Sequence, residues 1–167
     1  MVDRKPKAQA PKPSLKSLLA KVPDRVRIGF LESMIFINGK LASARIYDVK
    51  QNLTSKEYKA LKMSVGWGGL GEDASGYACK GPGACTLMKD YICAPLACKG
   101  PTPKFGGDLS VAWMVRNAPK PIRTKFLHSI DYRDGQLIGG DRKVIEPYAN
   151  NQELANFPKV QRSMLPQ

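Results

Sequence analysis

The sequence predicts a small α+β domain with two β-hairpins, two or three short helices, a Cys/Gly/Pro-rich loop and extended N- and C-terminal tails. Three observations lead there. Asn38-Gly39 and Asp134-Gly135, each set between apolar runs, are favoured two-residue hairpin turns, because such turns need positive φ at both positions. Thr54-Ser55-Lys56-Glu57 is a capping box ahead of an apolar stripe. All four cysteines fall between Cys79 and Cys98, where Gly and Pro are dense enough to suppress regular helix and sheet. The expected organisation is a basic, Pro-rich tail over 1–13, one body over 14–146 with the Cys-rich loop at 66–107, and an extended tail over 147–167.

Ser14 is a capping residue, and Leu15, Leu18, Leu19 and Val22 behind it share one helical face that Pro23 terminates. Arg25 to Ile37 alternates through Val26, Ile28 and Phe30 and reads as a strand, with Leu41 to Val49 returning after the Asn38-Gly39 turn. The capping box starts a helix from Ser55 to about Ser64, its stripe made by Tyr58, Leu61, Met63 and Val65, and Gly66 stops it. Asp108 to Asn117 fits either a capped helix or a buried strand, closed by Pro119. Ile122 to Tyr132 alternates as a strand, Asp134-Gly135 turns it, and Gln136 to Ile138 begins the return. Gly139-Gly140-Asp141 turns the chain again before Lys143-Val144-Ile145, and Pro147, Pro158 and Pro166 mark the tail.

The cysteines Cys79, Cys85, Cys93 and Cys98 are spaced C-x5-C-x7-C-x4-C, and Ala-Cys-Lys-Gly-Pro occurs twice, at Ala78 to Pro82 and Ala97 to Pro101. Zinc knuckles use C-x2-C or C-x4-C so that two thiolates reach one tetrahedral ion, and only one pair here has that reach. Disulfides therefore stand ahead of zinc, through local loops or a nested pairing of Cys79 with Cys98 and Cys85 with Cys93. Disulfides would imply an oxidising compartment; the remaining reading is four reduced, partly buried thiols. Cys85, Met88 and Ile92 would share a helical face between the pairs.

Lys and Arg number 27 against 14 acids, a net charge of +13. That balance speaks of partners: nucleic acid, an anionic lipid surface or an acidic protein surface. The candidate partner-binding cations form two groups, Arg4, Lys5, Lys7, Lys12, Lys16, Lys21, Arg25 and Arg27 at the N-terminal end, and Arg116, Lys120, Arg123 and Lys125 around Pro119 and Pro121. No apolar run approaches a membrane span, and the N-terminus has no apolar signal region. Trp67 in its glycine-rich stretch is suited to stacking on a base or, more economically, to filling a core gap.

Catalytic patterns are thin. His128 is the one histidine, Gly68-Gly69-Leu70-Gly71 lacks the Gly-Lys-Ser/Thr ending of a phosphate loop, and no Arg/Gln-x-x-Gly-x-Gly/Ala loop for an acetyl-CoA pyrophosphate is present. The expectation is a non-catalytic structural component of a large assembly, a ribonucleoprotein or virus particle, anchored by basic extended tails to nucleic acid or acidic neighbouring subunits. The alternative is a disulfide-stapled accessory subunit of a membrane-bound respiratory-type complex. A third reading is a small metal-dependent or acyl-transfer enzyme. Compartment is not readable beyond membership of a large particle or organellar complex.

Overall fold

The structure, a computed structural model, describes residues 12–37, 40–67, 74–79, 85–93, 108–151 and 154. It is mixed α+β, with antiparallel hairpins in two sheets and several short helices. Helix α1 (Leu15–Leu19) begins at Ser14, whose hydroxyl accepts from the Ser17 amide, and buries Leu15, Leu18 and Leu19. Helix α2 (Asp24–Glu32) leads into the hairpin β1 (Ile35–Ile37) and β2 (Lys40–Arg45), followed by α3 (Tyr47–Gln51).

Helix α4 (Ser55–Ser64) has the full capping box: Thr54 and Glu57 exchange side-chain and backbone hydrogen bonds. Strands β3 (Ala74–Cys79) and β4 (Cys85–Cys93) form a further hairpin, and β5 (Asp108–Ser110) runs into α5 (Val111–Met114). Helix α6 (Lys120–Ser129), the hairpin β6 (Asp131–Arg133) and β7 (Gln136–Gly139), α7 (Arg142–Ile145) and a 3-10 turn at Glu146–Tyr148 complete the described chain.

Five strands pair in the order β3-β4-β2-β1-β5, while β6 and β7 form a separate pair. Asp134 and Gly135 both have positive φ, at 51° and 80°, as the mirror-type hairpin turn requires; Asn38-Gly39 lies outside the described residues. Trp67 fills a core gap, 1% exposed, with its indole Nε1–H donating to the Leu41 carbonyl at 2.9 Å.

Four expectations are corrected. Residues 24–32 and 120–129 are helices, not the first halves of strands. Val26, Phe30 and Leu31 on α2, and Phe126 and Leu127 on α6, face the core at helical spacing. Pro23 and Pro119 begin these helices, their fixed φ being already suited to a first turn. The returning strand ends at Arg45, with Tyr47–Gln51 helical. Asp108 to Asn117 is both alternatives in sequence, strand and then helix. The cysteine segment carries two strands despite its glycines and prolines, so Cys85, Met88 and Ile92 share a strand instead of a helix.

The arrangement also contains a repeat. Residues 14–49 and 110–145 run through the same elements at one constant spacing, with Ser14 and Ser110, Pro23 and Pro119, Arg27 and Arg123, Phe30-Leu31 and Phe126-Leu127, Ser33 and Ser129, Gly39 and Gly135, and Leu41 and Leu137 in equivalent places. Strand register repeats too. Ile35↔Ser43 and Phe36↔Leu41 match Asp131↔Gly139 and Tyr132↔Leu137, with a bulge between the same two positions. Ser33 Oγ accepts from the Arg45 amide at 2.8 Å, and Ser129 Oγ accepts from the Asp141 amide at the same distance. Most buried apolar positions coincide, from Leu15 and Val111 to Val49 and Ile145, with Val26, Ala44 and Ile46 the exceptions.

The two units interlock. Strand β5, which leads into the second unit, pairs with β1 of the first, and the Val111 amide donates to the Met34 carbonyl at 3.0 Å. Reciprocally, the Lys16 amide at the head of the first unit donates to Asp131 Oδ1 on β6 at 2.8 Å. Phe36 and its equivalent Tyr132 stack on each other, centroids 6.1 Å apart and planes at 14°. Helix α2 packs against α6, with His128 Nε2 2.7 Å from Asp24 Oδ1 and Arg123 3.7 Å from Glu32.

Tyr132 is 1% exposed and its hydroxyl has no hydrogen-bond partner among the described residues, and burial pushes its pKa far above the usual phenol range. Since phenylalanine occupies the equivalent place in the first unit, Tyr132→Phe is expected to hold stability or raise it by up to about 2 kcal/mol. Tyr132→Ala, which empties the stack, is expected to cost about 3–5 kcal/mol. Urea unfolding of both variants checks the pair.

Glu57 accepts from Lys21 Nζ at 2.6 Å and from the Thr54 amide, and these bonds lower its pKa from 4.5 to about 2. A depressed carboxyl stabilises the fold above its unfolded pKa and loses that contribution as protons bind. Stability is therefore expected to fall between pH 4.5 and about 2, and Glu57→Gln to flatten that decline in acid-dependent unfolding curves.

Candidate functional site

The charges the sequence singles out are placed unevenly. Arg4, Lys5 and Lys7 lie outside the described residues, as does Cys98. Lys12 reaches Asp134 at 3.2 Å and Lys21 reaches Glu57, so both are engaged within the fold. Lys16 is exposed at the start of α1. The Arg116 guanidinium lies 4.0 Å from the centroid of the Trp113 ring, which is 62% exposed, and also donates to the Trp113 carbonyl.

Packing of α2 against α6 brings the two predicted groups together. Arg25 and Arg27 lie on α2; Lys120, Arg123 and Lys125 lie on α6. Arg25, Lys120 and Lys125 are exposed, and Arg25 has no hydrogen-bond or ion-pair partner among the described residues. Arg27 is half-buried, its Nε enclosed and without a hydrogen-bond partner among the described residues, while Arg123 is held towards Glu32. The two packed helices thus carry exposed cations, while their acids Asp24 and Glu32 are directed at His128 and Arg123.

Cys79 and Cys85 are backbone register partners across the β3–β4 hairpin. Cys93 at the end of β4 is fully buried and disulfide-bonded. Its sulfur is thereby withdrawn from metal coordination, and among the described residues no group of three or more His, Cys, Asp or Glu side chains converges as a metal cage. The same hairpin holds Tyr77 and Leu87 opposite each other, Leu87 being 80% exposed. No helix among the described residues is long and apolar enough to cross a membrane.

One feature escapes sequence reasoning. A cavity of about 240 Å³ opens between α2, the end of β2 and α3, lined by Arg25, Val26, Gly29, Phe30, Arg45, Asp48 and Val49. Arg45 and Asp48 contact each other loosely, at 3.6 Å, and both side chains are half-exposed. Only Arg25 stood out in the sequence, because a continuous strand through 41–49 would have sent Arg45 and Asp48 to opposite faces of a sheet.

Comparison with protein-family models, curated proteins and solved structures returns no match. The geometry of the site is therefore the ground for its function.

Reduction under native conditions is expected to lower unfolding free energy by about 2–4 kcal/mol if the disulfide closes its loop without strain. Denaturant titration with and without reductant measures this. A thiol count on the unfolded, unreduced chain should fall below the four cysteines of the sequence.

Proposed function

We propose that this protein is a non-catalytic structural component of a large assembly of the ribonucleoprotein or virus-particle kind, held to nucleic acid through its cationic surfaces. The observation that carries the reading is the joining of Arg25, Lys120 and Lys125 on the paired helices α2 and α6, exposed and without an ion pair among the described residues. Phosphate is the chemistry that such a surface attracts, and the net charge of +13 extends the attraction over the whole chain. The basic segment 1–13 adds Arg4, Lys5, Lys7 and Lys12 to the same balance.

A second reading rests on the buried disulfide at Cys93, which suits an oxidising compartment and an accessory subunit of a membrane-bound respiratory-type complex. There the positive surface would meet acidic subunits or anionic lipid. Native isolation separates the two, by whether nucleic acid or membrane-complex subunits co-purify.

For the first reading, affinity for a nucleic-acid duplex is expected to fall linearly on a double-logarithmic plot against salt. The combined variant Arg25→Gln, Lys120→Gln and Lys125→Gln should make that slope shallower by about 2–3, at about 0.9 for each lost phosphate contact. Affinity indifferent to salt, or an unchanged slope in the triple variant, removes the proposal.

A further inference from the structure

The internal repeat supplies a control for the cavity beside α2. At equivalent places in the second unit, Val26, Phe30 and Val49 become Ile122, Phe126 and Ile145, so the apolar floor is kept. The rim is not. Arg25 stands where the second unit has Pro121, Arg45 where it has Asp141, and Gly29 where it has Lys125.

Gly29 is the least expected of these. A glycine inside a helix weakens it, because the unfolded chain gains freedom that the helix must remove. Two common reasons for tolerating one are absent. Its φ is not positive, and a Cβ built there would meet nothing within 4 Å. What the missing side chain does leave is open space in a cavity that is also lined by two arginines from different elements, Arg25 of α2 and Arg45 of β2.

We propose that this cavity binds a small phosphate monoester with an apolar body. The volume, about 240 Å³, lies below the range of drug-sized pockets and suits a compact ligand. Guanidinium forks match the paired oxygens of a phosphoryl group, and the two arginines of the lining can divide its three free oxygens. A carboxylate offers only two oxygens to the same pair. Asp48 is the one acid in the lining, and its 3.6 Å contact holds Arg45 at the rim while leaving room for a stronger acceptor. Val26, Phe30 and Val49 would take the organic part. This site shares Arg25 with the nucleic-acid surface proposed above, but Lys120 and Lys125 are not in its lining, and its test uses small probes with Gly29 and Arg45 variants and no polymer.

Phenyl phosphate and inorganic phosphate are the probes, titrated into the full chain while backbone amide shifts are followed by NMR. Phenyl phosphate is expected to move the Gly29, Val26 and Val49 amides and to bind more tightly than inorganic phosphate. Arg25→Gln and Arg45→Gln should each weaken it by about tenfold or more, the scale of a charge-assisted hydrogen bond. Gly29→Leu should abolish binding while leaving the fold intact, since its Cβ enters open space. Should that variant fail to fold, Gly29→Ala with Arg45→Gln takes its place. The proposal is overturned if millimolar phenyl phosphate leaves these amides unmoved. It is equally overturned if Gly29→Leu binds as the parent does, or if inorganic phosphate binds as tightly as the ester.

Discussion

The reciprocal seating of the two units on each other is the constraint from which the rest of the structure follows. Segments the length of 14–49 or 110–145 are too short to enclose a core, because chains below about 40 residues expose too much of what they fold. Here each borrows. The strand and helix that open the second unit lie on the first unit's hairpin, and the head of α1 lies on the hairpin of the second. Phe36 against Tyr132 closes the seam, where an aromatic pair contributes about 0.5–1.5 kcal/mol beyond the area it hides. Once that seam exists, α2 and α6 lie side by side, and helices of distant sequence segments, each carrying basic residues, become neighbours.

The contact between Gly66 and Gly135 belongs to the same logic. Each has positive φ, and a Cβ on either would come 3.1 or 3.2 Å from the Cα of the other. The Gly135 amide donates to the Ser64 carbonyl at 2.9 Å, so the end of α4 is fastened to the turn of the second hairpin. The segment between the repeats is thus tied back to them by a junction that admits no side chain.

The hairpins were legible because turn chemistry is local: Asp134-Gly135 announces its own backbone angles. The helices before them were not. Val26, Ile28 and Phe30 satisfy a strand's alternation, while Val26, Phe30 and Leu31 satisfy a helix, and burial against the other unit decides between them. Pro23 and Pro119 were read as ends of what precedes them, although proline begins a helix as readily as it closes one. The repeat itself was hidden because identity is confined to scattered core, cap and turn positions. Of the site, the cations were visible as composition, but the meeting of Arg25 with Arg45 depends on a strand ending one residue before Ile46 and a helix beginning after it.

The outward leucine of the β3–β4 hairpin has a consequence for the protein as a colloid. Leu87 and Tyr77 stand exposed on a hairpin whose other end, at Ile92 and Cys93, is buried in the core, on a molecule otherwise kept apart from its copies by like charge. Dissolved ions shorten the range of that repulsion, to about 8 Å near physiological strength, without touching the apolar attraction. Crowding and brine should therefore act in concert on this exposed apolar pair, making self-association a matter of how well the cationic coat is left unscreened.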